Sequence, residues 1–318
     1  VISITGIEAT NFTVTTVPPI SGLNFCNVSV ILSHPGANDS VLVEVWLPTK
    51  DWNGRFQATG GGGHSTGLGD TGLAPALAAG YAASQTDGGN IGDGFYVNPP
   101  ALTPDGQVNW GLLIDYTYRS LHDMAVVAKA VIKTYYGRGP SSSYWNGCSM
   151  GGRQGLVEAQ MYPNDYDRIL VAASAVSIPC FVMAIQWPYT VMIQDKYIPS
   201  QCEFTAFINA SIAQCGGLDG VEYGIISNIQ DCAVDPYSLV GEKIICDGRK
   251  STISNVTAGI YRKILVGPTT PSGIKLWYGM NIGTALTAFI PAILTLSPPM
   301  ALPLLFRRHS QSLTCGTF

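Results

Sequence analysis

Charge is scarce in this chain. Asp, Glu, Lys and Arg make up 12% of its 318 residues, and the formal net charge is -4. Nothing in that balance offers the basic surface that nucleic acid requires, so no nucleic-acid partner is expected. Acidic residues stop at Asp247, and there are four histidines in all, His34, His64, His122 and His309. The candidates for acid–base chemistry are therefore few. No basic n-region leads the sequence at Val1, and the numbering is expected to start on a mature or trimmed chain. The glycine run at 60–63 lacks the Gly-x-Gly-x-x-Gly order, which argues against a nicotinamide-binding oxidoreductase. Between Leu286 and Phe306 the sequence carries no charge and is long enough to span a bilayer. Pro291, Pro298, Pro299 and Pro303 interrupt it, so a membrane helix is not expected.

What is present centres on Tyr144-Trp145-Asn146-Gly147-Cys148-Ser149-Met150-Gly151-Gly152-Arg153-Gln154-Gly155. A serine in a Gly-x-Ser-x-Gly frame, with small residues on both sides, permits a sharp strand-to-helix turn that exposes its hydroxyl as a nucleophile. The flanking pattern agrees. Arg119 to Tyr136 reads as an amphipathic helix, with Leu121, Met124, Val127, Val131 and Tyr135 three or four apart and Gly137 at its end. Ser141 to Asn146 reads as a short strand, and Gln154 to Met161 is helical up to Pro163. Earlier, Asn11 to Val17, Asn27 to Leu32 and Val41 to Leu47 read as strands, and Leu73 to Ala83 as a helical run. Gly60-Gly61-Gly62-Gly63 at a strand end permits close approach of backbone N–H groups to a ligand, as half of an oxyanion hole or as a loop without that role.

The length allows one large domain with an insertion, or two domains. The expected division is a core at 1–176, a lid of short helical pieces pinned by cysteines at 177–285, and an unrelated apolar tail at 286–318. Eight cysteines and the sequons at Asn11, Asn27, Asn38, Asn209 and Asn255 point to a secreted, extracellular glycoprotein.

Together with Val43-Glu44-Val45-Trp46-Leu47-Pro48, Trp52-Asn53-Gly54-Arg55-Phe56, Thr86-Asp87-Gly88-Gly89 and Leu276-Trp277-Tyr278-Gly279, the elbow resembles the tannase and feruloyl esterase family from residue 1 to about 285. The resemblance implies an alpha/beta-hydrolase fold with an inserted lid. It also implies hydrolysis of phenolic-acid esters such as ferulate or gallate esters. Ser149 would be the nucleophile and Cys148 a half-cystine beside it. The N–H of Met150, with that of Gly61 or Gly62, would form the oxyanion hole. A disulfide between Cys215 and Cys232 would close a lid loop that in the family binds calcium, with Cys202 and Cys246 paired around it. In that loop the family pattern places aspartates where this chain has Gly216 and Tyr223. Asp219 remains, with the carbonyls of Val221 and Ile225. Calcium takes six to eight oxygens, so one matched carboxylate predicts weak binding, and a loop held by its disulfide is expected.

The chain departs from the family where a triad needs its acid and its histidine, in that order after the nucleophile. Only His309 follows Ser149, and no Asp or Glu lies between Asp247 and His309. His122 is expected to face out of its helix in a packing role. The chain as written is thus expected to be a crippled esterase. The alternative is a catalytically inactive secreted glycoprotein that binds phenolic esters.

Overall fold

The computed structural model describes residues 1–89, 102–103, 105–246 and 248–286, so the apolar tail with His309 and Cys315 lies outside the described residues. The chain divides into two compact units between Val176 and Ser177.

The first unit is a mixed α/β sheet of seven strands. These are β1 (Ser3–Val14), β2 (Ile20–Leu32), β3 (Val41–Pro48), β4 (Arg55–Thr59), β5 (Ala82–Thr86), β6 (Ser142–Cys148) and β7 (Arg168–Ala172), in the order β1-β2-β3-β5-β4-β6-β7. Pairing is antiparallel from β1 to β5 and parallel from β5 to β7. The strands are joined by α1 (Asp70–Ala78), α2 (Trp110–Ile114), α3 (Ser120–Tyr136) and α4 (Met150–Met161). A mixed sheet with a strand–turn–helix at Ser149 is the alpha/beta-hydrolase arrangement that the elbow requires.

Alternation along β3 sorts its side chains onto two cores. Val43, Val45 and Leu47 join Leu121, Met124 and Ile132 of α3. On the other face Trp46 stacks on Phe25 at 4.1 Å between ring centroids and meets Leu73 and Leu77 of α1. The stripe read on α3 is rotated in the structure. Leu121 and Met124 are fully buried, but Ala125, Ala128 and Ile132 complete the buried face, while Tyr135 is 45% exposed. Alanines let the helix lie close to the sheet, whereas periodicity judged on large side chains gives them little weight. The helical run expected from Leu73 to Ala83 also splits. The helix ends at Ala78, and Ala82 starts β5, which is buried at every position and so carries no alternation to mark it as a strand.

The second unit, described by itself, holds α5 (Ile178–Gln194), α6 (Gln201–Cys215) and α7 (Asn255–Val266), with a hairpin of β8 (Lys243–Cys246) and β9 (Arg249–Thr252). Its helices are longer than the short pieces expected. Phe204, Phe207, Ile260 and Tyr261 lie at the centre of its core. Helix α6 begins with a capping box in which the Glu203 carboxylate accepts the Ser200 N–H at 2.7 Å and the Ser200 hydroxyl accepts the Glu203 N–H at 3.4 Å. Disulfides join Cys202 to Cys246 and Cys215 to Cys232. No helix among the described residues is long and apolar enough to cross a membrane.

Glu158 on α4 is an unusual core residue: it is fully buried, and no N–H or hydroxyl donor reaches either carboxylate oxygen. Burial raises its pKa to about 8, helped by the neighbouring Asp165 charge and opposed by Lys129. The unfolded carboxyl titrates near 4.5. Between these values only the folded chain holds the proton, so unfolding free energy should fall as pH rises from about 4.5 to about 8. Glu158→Gln, uncharged throughout, should flatten that descent and be the more stable protein at pH 8, by an amount on the order of a few kcal/mol in urea unfolding. Parallel pH profiles for the two proteins would contradict the reading.

Candidate active site at the strand-to-helix elbow

Strand β6 ends at Cys148, α4 begins at Met150, and Ser149 between them has φ 57° and ψ -115°. That conformation costs on the order of 1–3 kcal/mol and persists only where the surroundings impose it. Here the Ser149 N–H donates to the Ala172 carbonyl at 3.0 Å, at the end of β7. The Ser149 carbonyl accepts from the N–H groups of Arg153 and Ala175, each at 3.0 Å. Trp145 supports the turn from below, its indole N–H reaching the Gly151 carbonyl at 3.0 Å. A Cβ on Gly147 would lie 2.3 Å from that same carbonyl oxygen, so the turn closes only around a bare backbone. Cys148 is a free, exposed thiol, and Cys26 is also free.

The glycine run packs directly on this turn. Gly60 N–H donates to Asn146 O at 3.1 Å, and Gly151 N–H donates to Gly61 O at 2.9 Å. A Cβ on Gly60 would sit 2.4 Å from the Gly151 Cα. The structure separates the two glycines named as oxyanion donors. Gly61 N–H is committed to the Gln154 side-chain oxygen at 2.9 Å in a buried bond, so it is not free to bind an oxyanion. Gly62 is left as the candidate beside Met150, whose N–H opens α4 and has no partner within the helix. The motif's Arg153 turns back, its Nη1 donating to Thr117 O at 3.2 Å in the π-helical turn Asp115–Arg119.

Two histidines are engaged elsewhere. His122 does not simply face outward: its Nδ1 lies 2.6 Å from Asp165 Oδ2, and its ring stacks on Tyr162 at 4.3 Å. His34 has a carboxylate at each ring nitrogen, Asp39 at 2.6 Å and Asp123 at 3.0 Å. His34, Asp39 and Asp115 bring three donor atoms within 4.8 Å of one another, a spacing that could hold a metal ion. The same Asp39 and Asp115 oxygens, however, take the Arg119 guanidinium at 2.8 and 2.6 Å, which supplies the positive charge there. Burial would raise Asp39, but hydrogen bonds from His34 and Asp115 bring it down to about 2; Asp115, fully buried, is raised to about 6 by burial against the pull of Arg119. Nothing in the spacing of 34, 39, 115, 119 and 123 marks this cluster, because it forms only when the loop after β2 meets the start of α3.

The disulfide loop in the second unit does not fit a calcium ion. Asp219 Oδ1 accepts the Val221 N–H at 3.1 Å, and its Oδ2 accepts the Tyr223 hydroxyl. That hydroxyl also lies 2.5 Å from Ser227 Oγ. Gly216 caps α6, and Val221 and Ile225 are each more than half exposed. Asp219, the one carboxylate that matches the family pattern, has both oxygens already bonded, which disfavours the oxygen-rich shell that calcium needs.

Comparison with known proteins gives a consistent result. The profile described as tannase and feruloyl esterase matches residues 26–292. The Arthroderma benhamiae protein named "Probable feruloyl esterase" is 45% identical over 280 residues, covering 88% of this chain and 52% of its own. The tannase of Aspergillus oryzae is 31% identical, covering 72% of this chain and 40% of its own. Among solved structures, tannin acyl hydrolase from Aspergillus niger aligns with a TM-score of 0.79 and 26% identity over 90% of this chain and 54% of that one. Feruloyl esterase B from Aspergillus oryzae aligns at 0.71 and 25% over 91% and 57%. The chain thus spans about half the length of the relatives it matches.

Thermal unfolding of the second unit should be unchanged, within about 1 °C, by millimolar EDTA or millimolar calcium, because a ligand stabilises only through binding to the native state. A calcium-dependent rise of several degrees would show that the loop binds the ion despite its donor set.

Proposed function

The chain belongs to the tannase and feruloyl esterase family, and from that premise we propose that the protein is a serine carboxylic ester hydrolase acting on phenolic-acid esters. The observation that carries the reading is the Ser149 backbone, held at φ 57° between β6 and α4 with the glycine run seated on the same turn. In this reading Ser149 Oγ attacks the ester carbonyl. The N–H groups of Met150 and Gly62 then hold the oxygen that becomes negative, each such donor being worth about 3 kcal/mol in the transition state.

A serine hydroxyl needs a base. His34 and His122 are paired with carboxylates, His64 precedes the nucleophile in the chain, and the only histidine after it is His309, with no acid between Asp247 and it. The 318-residue chain by itself is therefore proposed to turn over slowly, since loss of the base in a serine hydrolase costs roughly 10⁶ in kcat. A second reading is a non-catalytic protein that binds phenolic esters through the Ser149 site. Purified chain should hydrolyse methyl ferulate roughly 10⁶-fold more slowly than a family relative assayed alongside, and Ser149→Ala should change that rate little. Relative-like turnover that disappears in Ser149→Ala would instead support the nucleophile and remove the slow-turnover proposal. Relative-like turnover that survives Ser149→Ala would overturn the serine assignment. Stoichiometric binding without hydrolysis would favour the second reading.

Secretion and glycosylation belong to the same proposal. Asn11, Asn38, Asn209 and Asn255 are exposed, whereas Asn27 lies within β2, with its Oδ1 buried and its Nδ2 3.4 Å from Glu44. Glycopeptide mapping of material secreted from a eukaryotic host should find sugar among the first four and none at Asn27. A glycan at Asn27 would contradict the buried amide.

A further inference from the structure

The first six residues of the elbow motif have roles as strand, turn or nucleophile, but Gln154 is left without one. It sits on α4 with its side chain fully buried. Its Oε1 accepts the Gly61 N–H at 2.9 Å, and its Nε2 donates to the Thr66 carbonyl at 3.1 Å. One amide therefore grips the glycine loop at two points five residues apart. Between them the loop closes on itself through Ser65 N–H to Gly62 O at 3.0 Å.

We infer that Gln154 is a positioning residue for the oxyanion hole, acting through the glycine loop rather than on the substrate. This rests on the hydrolase reading given above. Met150 is fixed to α4 by the backbone itself. Gly62 belongs to a loop that begins far away in sequence, and Gln154 ties that loop to the same helix. By occupying Gly61 N–H, Gln154 also removes the competing donor and leaves the next amide for the oxygen. The position demands a neutral side chain with both a donor and an acceptor, at this length. Glutamate would leave Thr66 O without a donor and bury a charge. Asparagine is one methylene too short to reach both groups. Methionine fills the space with no hydrogen bond.

The test uses the full chain carrying Gln154→Met, with two readouts. Amide exchange over residues 60–66 should become at least about tenfold faster while the strands β3 and β6 keep their protection. Saturable hydrolysis of p-nitrophenyl acetate, above the buffer rate, should lose roughly 10- to 100-fold in kcat with KM within about threefold, since the lost interaction is with the transition state alone. Unchanged loop exchange overturns the inference whatever the activity. Faster exchange with unchanged kcat overturns it too, leaving Gln154 a structural clamp only. If the parent chain shows no saturable hydrolysis, as the slow turnover proposed above allows, loop exchange alone decides: at least about tenfold faster exchange supports Gln154 as the residue that sets the loop, and unchanged exchange overturns it. Should Gln154→Met not fold, Gln154→Asn is read in the same way, with intermediate losses expected in both measurements.

Discussion

The seating of the Gly60–Gly61 backbone on the first turn of α4 is the constraint on which the rest of the site depends. Gly60 and Gly151 approach to a distance that leaves no room for a Cβ on Gly60, and two backbone hydrogen bonds, Gly60 to Asn146 and Gly151 to Gly61, hold them there. This contact joins the end of β4 to the end of β6, so the parallel pairing of those strands and the strained turn at Ser149 are parts of one arrangement. Gln154 extends the same contact into the interior with a side chain. The glycine loop is thereby tied to the strand and helix that flank Ser149.

Away from the elbow, the first unit places charge in its interior in two ways. At the loop after β2, Arg119 and His34 meet Asp39, Asp115 and Asp123, so each carboxylate has a cationic or hydrogen-bonding neighbour. On α4, Glu158 meets no N–H or hydroxyl donor and lies against Asp165, with the Tyr166 hydroxyl also buried and unpartnered. In the first arrangement ion pairing reaches every carboxylate and leaves only Asp115 Oδ2 buried without a partner; in the second the carboxyl keeps its proton, because an isolated buried carboxylate is too costly to ionise.

Much of the site was legible in the sequence. The elbow could be read because steric demands at a sharp strand-to-helix turn act on adjacent residues, so Gly147, Ser149 and Gly151 sit within five positions. The ends of β3 and α3 were close for a similar reason, since Pro48 and Gly137 stop elements locally. The first two residues of β5, Ala82 and Ala83, fall in the expected helical run because a strand buried on both faces shows no alternation. The two disulfides in the second unit were implied by the family resemblance and not by spacing alone. What escaped was non-local: the pairing of His122 with Asp165 and the five-residue ionic cluster join segments up to 89 positions apart.

The sequence by itself determined the chemistry on offer. It fixed a serine in an elbow frame, a glycine run able to present N–H groups, few histidines, and no acid after Asp247. Only the tertiary structure decided that the Gly61 amide is already bonded, because that depends on where the Gln154 side chain reaches across 93 residues. Sequence lists donors and acceptors; folding decides which of them are already spent on one another, and a buried N–H that has found its partner has nothing left for a substrate.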